Sequence, residues 1–597
     1  MDRHHSKPKL KLRLMLAIVI VCCLVLAVKL FALQVFASGY YRKASIDNSV
    51  RIVPIKAPRG IILDRNNEVI VQNRPSYSVY LVPHDVPNID IAAARLAGML
   101  QMDESYLKQI ISSGWKGRFQ PIRLKRDVDF KTISILEEHS LDVPGLVFQV
   151  EPTRLYPDSG HGSHLYGYVG EVSESELSKN ENAERGDIIG KKGLERYYND
   201  YLKGRDGVLY LQVTAKGRIL GKYADRQETP PVTGDTLVLN IDWPLQKKAE
   251  TLLFEKGQGS VVAIDVATGG VLAFASSPVY DANLFSGVVP ADKWAEIMAD
   301  STFPLLNRTI QGIYPPGSTF KAFTAAMALN YDKVKDEKQF DSCRGQKKFG
   351  NRFFKCWRPG GHGKQDLHGA IVRSCDVYFY QLGLACGMEQ FGEFMPQCRF
   401  GELTGIDILG EKSGISPSIS YFDERYGKKG WTRYLMNNLA IGQGEILVTP
   451  LQMAVLYAAL ANGGTVYKPA IVKKIIKNDG ADIVMQPETM TDLPITKKHL
   501  EIINNALMGV VSEEDGTASW LKIPGITLAG KTGTAQNPHG DDHAWFVCFA
   551  PFENPEIAVA VIVENAGHGS SVAAPVARDV LKFYFERQEP EKSEDPT

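Results

Sequence analysis

The sequence has little cysteine and no excess of charge of either sign. Eight Cys occur in 597 residues, too few for a fold that depends on disulfides. The 68 Lys and Arg are balanced by 68 Asp and Glu, so the chain lacks the basic excess of a strongly cationic nucleic-acid binder. With 44% hydrophobic and 23% charged residues, the composition is that of a folded globular protein. A disulfide scaffold, a disordered acidic protein and a strongly basic protein are therefore excluded.

Beyond the first forty residues, the sequence lacks any stretch apolar enough to cross a bilayer. Residues 14–36 form an apolar run broken by Lys29, and about 20 helical residues span a membrane. The alternative is a cleaved signal peptide, but its apolar part would be only about 7–15 residues long. Residues 1–13 are rich in Lys and Arg, which stay on the cytoplasmic side. We expect a cytoplasmic tail, a single-pass helix in the cell inner membrane, and an extracytoplasmic, periplasmic remainder.

The remainder divides at a turn-rich segment, Pro230–Gly234, which predicts one domain over 37–235 and a second over 236–585. Asn and Gly residues predict two β-hairpins, around residues 65–67 and 268–270. The second domain mixes predicted strands with helical segments, so its fold class is α+β, with helices packed on an antiparallel sheet. Residues 586–597 are rich in Glu, Pro and Lys and predict a disordered tail. The helical segments are predicted at 318–330, 366–384 and 448–462.

Three short motifs in the second domain carry chemistry. Ser318 and Lys321 are three residues apart in a predicted helix, so they share a face and the amine can reach the hydroxyl. A serine needs a nearby base to act as a nucleophile, and lysine can serve once burial or a neighbouring cation such as Lys531 lowers its pKa. The other motifs are Ser374-Cys375-Asp376 and Lys531-Thr532-Gly533-Thr534.

No single motif is specific. Ser-x-x-Lys recurs along the chain, for example at Ser6, Ser113 and Ser519 as well as Ser318, and a random occurrence is usually a solvated pair. The three motifs in this order, outside the membrane, are characteristic of penicillin-binding proteins and class A β-lactamases. The combination therefore indicates acyl transfer through a serine.

Around these motifs the chain resembles class B penicillin-binding proteins over nearly its whole length. In the second domain the similarity lies in Tyr314–Lys321, Ile441–Glu445 with Thr449-Pro450, and Lys531–Ala535. In the first domain it lies in Arg59-Gly60, Asp64-Arg65-Asn66 and Gly190–Glu195, which resemble the family's non-catalytic pedestal domain. Asn67 departs from the family's usual Gly, and the Glu-Asp-x-x-Phe signature of the bifunctional class A enzymes is absent before residue 236.

Ser374-Cys375-Asp376 resembles the elongation-type subgroup, penicillin-binding protein 2, because many other class B proteins have Asn at the third position. Cys356-Trp357, Gly361–Gly363 and Ser374–Tyr380 strengthen this similarity. The resemblance implies a β-rich pedestal, a transpeptidase domain with an all-helical lobe, and no cofactor for catalysis. It also implies D-Ala-D-Ala stem peptides as substrate, acylation by β-lactams, and no nucleic-acid partner. Further implied partners are a SEDS-type glycosyltransferase and elongation-complex scaffold proteins.

The resemblance assigns a role to each motif residue. Ser318 attacks the carbonyl of the penultimate D-alanine, and Lys321 takes its proton. Ser374 relays a proton to the leaving amine, and Asp376 orders its loop. Backbone N–H groups of Ser318 and Thr534 form the oxyanion hole. The substrate carboxylate is bound by the third motif, namely Lys531, Thr532, Gly533 and Thr534.

Four further residues could form a metal site beside the second motif: Cys343, Cys356, His362 and Cys375. Three thiolates and one imidazole suit tetrahedral zinc, although no tight Cys-x₂-Cys pair is present. A Cys343–Cys356 disulfide is the first alternative, and independent buried thiols are the second. Asp341 is a reserve ligand.

Other functions stay open at this point. A division-type class B transpeptidase would use the same motifs, but Asp376 disfavours it. A D,D-carboxypeptidase or β-lactamase is also conceivable, because the sequence does not show whether water or an amine resolves the acyl-enzyme. A non-catalytic β-lactam sensor would need cytoplasmic signalling machinery, which thirteen residues are too few to supply. A structural scaffold would not need the complete set of catalytic residue types.

Overall fold

The computed structural model describes residues 7–41, 49–115, 117, 120–179, 185–214, 219–224, 226–287, 289–334 and 340–592. Two compact units are present, and each is assembled from three segments. Unit 1 comprises Met1–Ala57, Pro75–Pro152 and Arg205–Val232, and unit 2 comprises Pro58–Arg74, Thr153–Gly204 and Thr233–Thr597. Because these units interleave along the chain, they do not correspond to a single boundary after residue 235. That boundary stays a prediction.

The described residues form strands of two to thirteen residues, numbered in chain order. They are β1 Val50–Ile55, β2 Ile62–Leu63, β3 Val69–Leu81, β4 Ile122–Val128, β5 Leu146–Leu155, β6 Val169–Glu171, β7 Ile188–Gly190, β8 Gly207–Val213, β9 Ile219–Lys222, β10 Thr236–Leu239, β11 Gly259–Asp265, β12 Val271–Ser277, β13 Gln346–Phe349, β14 Arg352–Lys355, β15 Thr465–Tyr467, β16 Val472–Ile476, β17 Ile483–Val484, β18 Thr489–Asp492, β19 Ala529–Ala535, β20 His543–Ala550 and β21 Ile557–Val563.

The α-helices are numbered in the same way. They are α1 Lys7–Phe31, α2 Ile89–Leu100, α3 Glu104–Ser113, α4 Phe130–Glu138, α5 Ser163–Tyr166, α6 Glu174–Leu177, α7 Gly193–Tyr197, α8 Asn199–Leu202, α9 Trp243–Lys256, α10 Ala291–Ala299, α11 Lys321–Asn330, α12 Leu367–Val372, α13 Asp376–Cys386, α14 Met388–Gln397, α15 Ile419–Tyr426, α16 Leu435–Leu439, α17 Pro450–Ala461, α18 Lys497–Ser512 and α19 Ala573–Lys592. Single 3₁₀ turns cover Pro83–Asp85, Ala282–Phe285 and Gly317–Phe320.

The predicted membrane segment is helical. Helix α1 continues into one π-helical turn at Ala32–Phe36, so that residues Leu10–Phe36 form one apolar, exposed helix of 27 residues. Among the described residues it is the one helix long and apolar enough to cross a bilayer. It indicates a single-pass membrane anchor. Residues 1–6 of the predicted cytoplasmic tail lie outside the described residues.

Unit 1 has its own small core. Strands β1, β8 and β9 form an antiparallel sheet, and the second half of β3 pairs with β4. Helices α2 and α3 pack against each other, and α4 packs on α2. Apolar side chains of β3, β4 and helices α2 to α4 form one buried cluster that includes Val79, Leu96, Leu107, Ile122 and Leu136.

The centre of unit 2 is a five-stranded antiparallel sheet in the order β12-β11-β21-β20-β19. Every residue of β12 and β21 is buried, so both faces of the sheet are covered. Helices α9 and α19 pack on each other and on the sheet, and α17 packs separately on β21, β11 and β20. The hairpin predicted around residues 268–270 joins β11 to β12, and the α+β prediction is confirmed.

A group of helices adjoins the sheet in unit 2. Helix α11 packs on α13, α14 and α18, and α18 also packs on β19. Helices α12 and α13 occupy the place of the single helix predicted over 366–384, and that prediction was wrong at Arg373–Cys375. The helix breaks there because Ser374 adopts the left-handed conformation, with φ 53°.

The C-terminal prediction also needs correction. Helix α19 continues to Lys592, so the disordered tail predicted from residue 586 was wrong for residues 586–592. The helix packs on α9, β20 and β21, and such contacts stabilise a helix that the composition of its last residues does not favour. Residues 593–597 lie outside the described residues.

Unit 2 contains a buried cluster of charged residues, contributed by its segments that precede residue 235. Glu195 is fully buried, and its Oε2 lies 2.8 Å from Nη2 of Arg59 while its Oε1 lies 2.5 Å from Nε of Arg154. Arg154 also donates to the backbone oxygen of Gly60, at 2.7 Å. Buried charges of this kind require opposite charges and hydrogen bonds to compensate for lost hydration. The cluster therefore ties the segment Pro58–Arg74 to the segment Thr153–Gly204.

Candidate active site

Ser318 lies in a turn that rests on the edge strand of the central sheet. It is the second residue of the 3₁₀ turn Gly317–Phe320, which leads directly into α11. Gly317 has φ +56°, and a Cβ there would lie 2.7 Å from the backbone oxygen of Thr534. Only glycine fits at this position, and its absence of a side chain lets the turn approach β19 closely. Ser318 itself is half-buried, whereas Thr319 and Phe320 are buried.

Lys321 is completely buried and makes three polar contacts through its ammonium group. Its Nζ donates to Oδ1 of Asp376 at 2.7 Å, to the backbone oxygen of Ser374 at 2.9 Å and to Oγ of Ser374 at 3.0 Å. It also lies 5.4 Å from the centroid of the Phe379 ring. The structure therefore brings together the first two predicted motifs around one amine.

Trp357 also contacts the Ser374 turn, through hydrogen bonds. Its indole Nε1 donates to the backbone oxygens of Ser374 and Arg373, each at 3.1 Å, and its backbone N–H donates to Oδ2 of Asp376 at 2.9 Å. The conformation of Ser374 is unfavourable for a residue other than glycine, so it needs such contacts to persist. From the sequence, Trp357 contributed only to the family resemblance, beside Cys356, and no role in the site was assigned to it.

The third motif forms β19, which lies at the edge of the five-stranded sheet and pairs there with β20. Lys531 is fully buried on this strand. Burial lowers the pKa of Lys531 well below its usual value, the charge of Lys321 lowers it further, and Asp376 opposes both effects. The two lysines are therefore close enough to interact. Because β19 is an edge strand, its outer side can accept an extended peptide.

The remaining residues of the third motif face specific neighbours. Oγ1 of Thr532 lies 2.8 Å from Oγ1 of Thr517, and the backbone oxygen of Thr534 accepts from Nε2 of Gln443 at 3.1 Å. A Cβ at Gly533 would lie 2.9 Å from side-chain atoms of Thr319 and Trp545. Thr517 and Gln443 were not singled out from the sequence. Gln443 lies inside the segment 441–445 that carries part of the family resemblance, whereas no sequence signal identified Thr517.

The four predicted metal ligands also come together. One ligand atom from each of Cys343, Cys356, His362 and Cys375 lies within 4.8 Å of all the others. Nδ1 of His362 is 3.5 Å from Sγ of Cys356 and 3.8 Å from Sγ of Cys343. All three thiols are buried and free, so the alternative Cys343–Cys356 disulfide is not formed. The reserve ligand Asp341 instead pairs with Lys347.

The donor set fits a tetrahedral zinc ion. Three sulfur atoms and one imidazole nitrogen are among the commonest ligands of structural zinc. A hydrogen bond from Cys375 lowers the pKa of Cys356, and His362 contributes in the same direction against the effect of burial. The other ring nitrogen of His362, Nε2, is buried without a hydrogen-bond partner in the described part of the chain.

Two family models match the chain. The model described as "Penicillin binding protein transpeptidase domain" matches residues 259–582, and the one described as "Penicillin-binding Protein dimerisation domain" matches residues 54–239. The chain is 32% identical over 594 residues to the peptidoglycan D,D-transpeptidase MrdA of Acinetobacter baumannii. That alignment covers 95% of this chain and 86% of the relative.

Solved structures agree with these matches. The chain resembles one in the complex between penicillin-binding protein PBP2 and MreC from Helicobacter pylori, with 29% identity and a TM-score of 0.77, covering 90% of this chain and 99% of that one. It also resembles a chain of a peptidoglycan synthase complex described as coordinating polymerization and crosslinking. The identity there is 28% and the TM-score 0.71, covering 96% of this chain and 98% of that one.

Proposed function

The chain belongs to the penicillin-binding protein transpeptidase family, and from that premise we propose that Ser318 is the nucleophile with which it cross-links peptidoglycan. The protein is a peptidoglycan D,D-transpeptidase of the elongation type, and its relatives do not favour the division-type, sensor or scaffold alternatives. One observation supports the role of Ser318 above the others. Its turn adjoins both the buried amine of Lys321 and the edge strand that carries Lys531.

The first half of the reaction is acylation. Lys321 acts as an unprotonated amine in this step and accepts the proton of the Ser318 hydroxyl as the oxygen attacks the penultimate D-alanine carbonyl of the donor stem peptide. Backbone N–H groups of Ser318 and Thr534 stabilise the oxyanion. Ser374, which lies 3.0 Å from Nζ of Lys321, passes a proton to the departing D-alanine amine. The products are an acyl-enzyme on Ser318 and free D-alanine.

The second half transfers the acyl group to an amine of a neighbouring stem peptide, which forms the cross-link and regenerates the Ser318 hydroxyl. In the first half the donor stem peptide lies along the edge of β19, where Lys531, Thr532 and Thr534 bind its terminal carboxylate until that carboxylate leaves with the released D-alanine. Gly533 keeps that strand close to Thr319, and Asp376 fixes Lys321 and the Ser374 turn. β-Lactams acylate Ser318 because they mimic D-Ala-D-Ala.

The test is covalent labelling with a fluorescent penicillin, followed by intact mass analysis. Wild type should gain the mass of one drug molecule, and Ser318→Ala should gain none. Ser519→Ala is the matched control, because Ser519 begins another Ser-x-x-Lys sequence and should label like wild type. Labelling of Ser318→Ala at the wild-type level would place the nucleophile elsewhere.

We propose partners in the cell wall synthesis machinery. A relative of 29% identity is solved in complex with MreC, and another is solved in a peptidoglycan synthase complex. A SEDS-type glycosyltransferase in contact with the membrane helix and the pedestal, and an elongation-complex scaffold protein, fit this pattern. Co-purification from membranes tests the first partner. Replacing residues 10–36 with an unrelated membrane helix should reduce recovery of the glycosyltransferase, and unchanged recovery would contradict its contact with this helix.

The proposed orientation places the N-terminus in the cytoplasm and the catalytic site in the periplasm. Its support is the basic character of residues 1–13 next to the apolar helix. Protease added to spheroplasts should digest residues beyond 49 and spare an N-terminal tag. Protection of the catalytic part in intact spheroplasts would contradict this orientation.

The proposed division into a pedestal over 37–235 and a transpeptidase domain over 236–585 agrees with the separate family models. Expression of residues 236–585 alone tests it. A soluble fragment that is labelled by penicillin would support the division. An insoluble fragment would contradict it, because segments 58–74 and 153–204 would then be required for folding.

We also propose that Cys343, Cys356, His362 and Cys375 hold a structural zinc ion. Zinc bound there would stabilise the Ser374 turn, because its ligand Cys375 lies between Ser374 and Asp376. Metal analysis of the purified full chain should find about one zinc per protein in wild type. Cys356→Ser should lose the metal, and Cys398→Ser, a buried cysteine outside the cluster, should retain it. Wild type without zinc would contradict the proposal.

A further inference from the structure

A strongly basic segment lies beside the active site of a chain whose net charge is zero. Residues 343–364 contain seven Lys and Arg and no Asp or Glu, and they include the hairpin β13–β14. Such a concentration of one charge creates a local potential that attracts anions. The basic residues are Arg344, Lys347, Lys348, Arg352, Lys355, Arg358 and Lys364.

Six of these side chains are exposed and have no carboxylate partner among the residues that the structure describes. The seventh, Lys347, is half-buried and pairs with Asp341. Surface lysines and arginines elsewhere often form ion pairs, for example Lys474 with Asp482. The six unpaired cations therefore remain available to an anionic partner, and we call them the basic surface.

The hairpin has two chemically different faces. Phe349 and Phe354 lie on the inner face and pack on Tyr380 of α13, with ring centroids 6.1 and 5.4 Å from the Tyr380 ring. Lys348 and Phe353 are partners across the two strands on the outer face, where both are exposed. The Lys348 ammonium lies 6.0 Å from the centroid of the Phe353 ring. The outer face thus combines cations with an exposed aromatic ring.

The hairpin is fixed to the catalytic turn. The Tyr380 hydroxyl donates to the backbone oxygen of Lys355 at 2.9 Å, and Tyr380 lies one helical turn beyond Asp376. Just after the hairpin, Trp357 makes its hydrogen bond to Asp376. A ligand held by the basic surface is therefore held at a defined position relative to Lys321 and Ser374.

We propose that the basic surface binds the free carboxylates of a peptidoglycan stem peptide that enters the transpeptidation site. This inference rests on the proposed function, since it takes the substrate to be an acidic peptide attached to glycan. Arginine binds carboxylates through two parallel hydrogen bonds, and lysine adds a mobile point charge. An acidic peptide fits better than a lipid headgroup, because the surface is anchored to the turn that carries Ser374.

The test measures affinity in the full-length protein carrying Ser318→Ala, which removes turnover. The probe is a fluorescent disaccharide pentapeptide with a free glutamate carboxylate, and the comparison is the same probe amidated at that glutamate, which carries one negative charge fewer. Lys348→Gln/Lys355→Gln/Arg358→Gln should weaken binding of the acidic probe about 3- to 10-fold at low salt, because exposed ion pairs are individually weak. The loss should shrink as salt is raised. In the same variant, the affinity for the amidated probe should change by less than about 2-fold.

The matched control is Lys428→Gln/Lys429→Gln/Lys522→Gln, which removes three exposed lysines elsewhere in unit 2. It should bind both probes like the parent. Equal affinity of the parent and the basic-surface variant, equal loss in the control, or equal loss with the amidated probe would overturn the proposal. Loss of binding to vesicles that contain phosphatidylglycerol, with peptide affinity unchanged, would also overturn it in favour of a lipid surface.

Penicillin labelling separates this proposal from the proposed function. With Ser318 restored, the basic-surface variant should be acylated at the wild-type rate, because penicillin lacks the glutamate carboxylate of the stem peptide. If no form of the protein is labelled, the proposed role of Ser318 fails, whereas the affinity comparison still decides whether the surface binds stem peptides.

Discussion

The ammonium of Lys321 lies 2.7 Å from Oδ1 of Asp376, although the two residues are 55 positions apart in the chain. The Lys321 side chain is fully buried and that of Asp376 is 11% exposed, so the pair is screened little by water. The second carboxylate oxygen of Asp376 accepts from Trp357. Asp376 therefore connects the amine proposed as base to the segment that carries the cysteine and histidine cluster.

Substitution of Asp376 should slow acylation, and the loss should be larger for alanine than for asparagine. Asp376→Ala leaves the buried amine without its carboxylate, and breaking one side of a buried pair costs about 3–5 kcal/mol. We expect penicillin acylation to slow by at least about 100-fold. Asp376→Asn keeps one oxygen acceptor and should slow it by about 10-fold. Glu424→Gln, at an exposed carboxylate, is the control. Wild-type acylation by Asp376→Ala would show that the pair is dispensable.

Trp357→Phe should test the support of the Ser374 turn. The substitution keeps the backbone hydrogen bond to Asp376 and removes the two indole hydrogen bonds, each worth about 0.5–1.5 kcal/mol. We expect the second-order rate of penicillin acylation to fall about 10-fold, with the thermal midpoint lowered by at most a few degrees. Trp520→Phe, another exposed tryptophan, should have no effect. An equal loss in both variants would indicate that the indole of Trp357 has no specific role.

Lys531→Met should change how stability depends on pH. The pKa of Lys531 is lowered in the folded protein, so between that pKa and about 10.4 the unfolded chain binds more protons at this site. Unfolding free energy from this group therefore rises with pH, by up to about 1.4 kcal/mol per pH unit. Thermal midpoints at pH 7 to 9 should rise more for wild type than for Lys531→Met. Lys522→Met is the exposed control, and parallel curves for Lys531→Met and wild type would contradict the lowered pKa.

Glu195→Gln should destabilise unit 2 without touching the active site. Burial raises the pKa of Glu195, but Arg154 and Arg59 outweigh it and hold the pKa below its usual value. The stabilisation is therefore fully present above the ordinary pKa of about 4.3 and is lost as pH falls through the lowered value. At pH 7 we expect a loss of about 3–5 kcal/mol, measured as a lower thermal midpoint.

Glu138→Gln, at an exposed carboxylate, is the comparison for this prediction and should leave the midpoint unchanged. Folded Glu195→Gln should still be labelled by penicillin at 25 °C. A midpoint equal to that of wild type would mean that the two arginines find other compensation, and loss of labelling in folded protein would mean that the cluster acts on the site.

The local parts of the fold could be read from the sequence. The apolar helix, the hairpin at 268–270 and the strand that carries Lys531 follow from residue patterns within one segment. Predictions failed where packing competes with local preference. Residues 366–384 are helical in pattern, yet the chain breaks at Ser374 because contacts from Lys321 and Trp357 hold its left-handed conformation.

The order of the motifs, their residue types and the four candidate zinc ligands follow from the sequence alone. Packing in three dimensions is needed to establish that Lys321 pairs with Asp376, that β19 is an edge strand, and that the basic hairpin contacts the helix that begins at Asp376. The physical reason is that periodicity and turn preferences act over a few residues. Contacts between residues 50 or more positions apart depend on how complete elements pack, which no local pattern specifies.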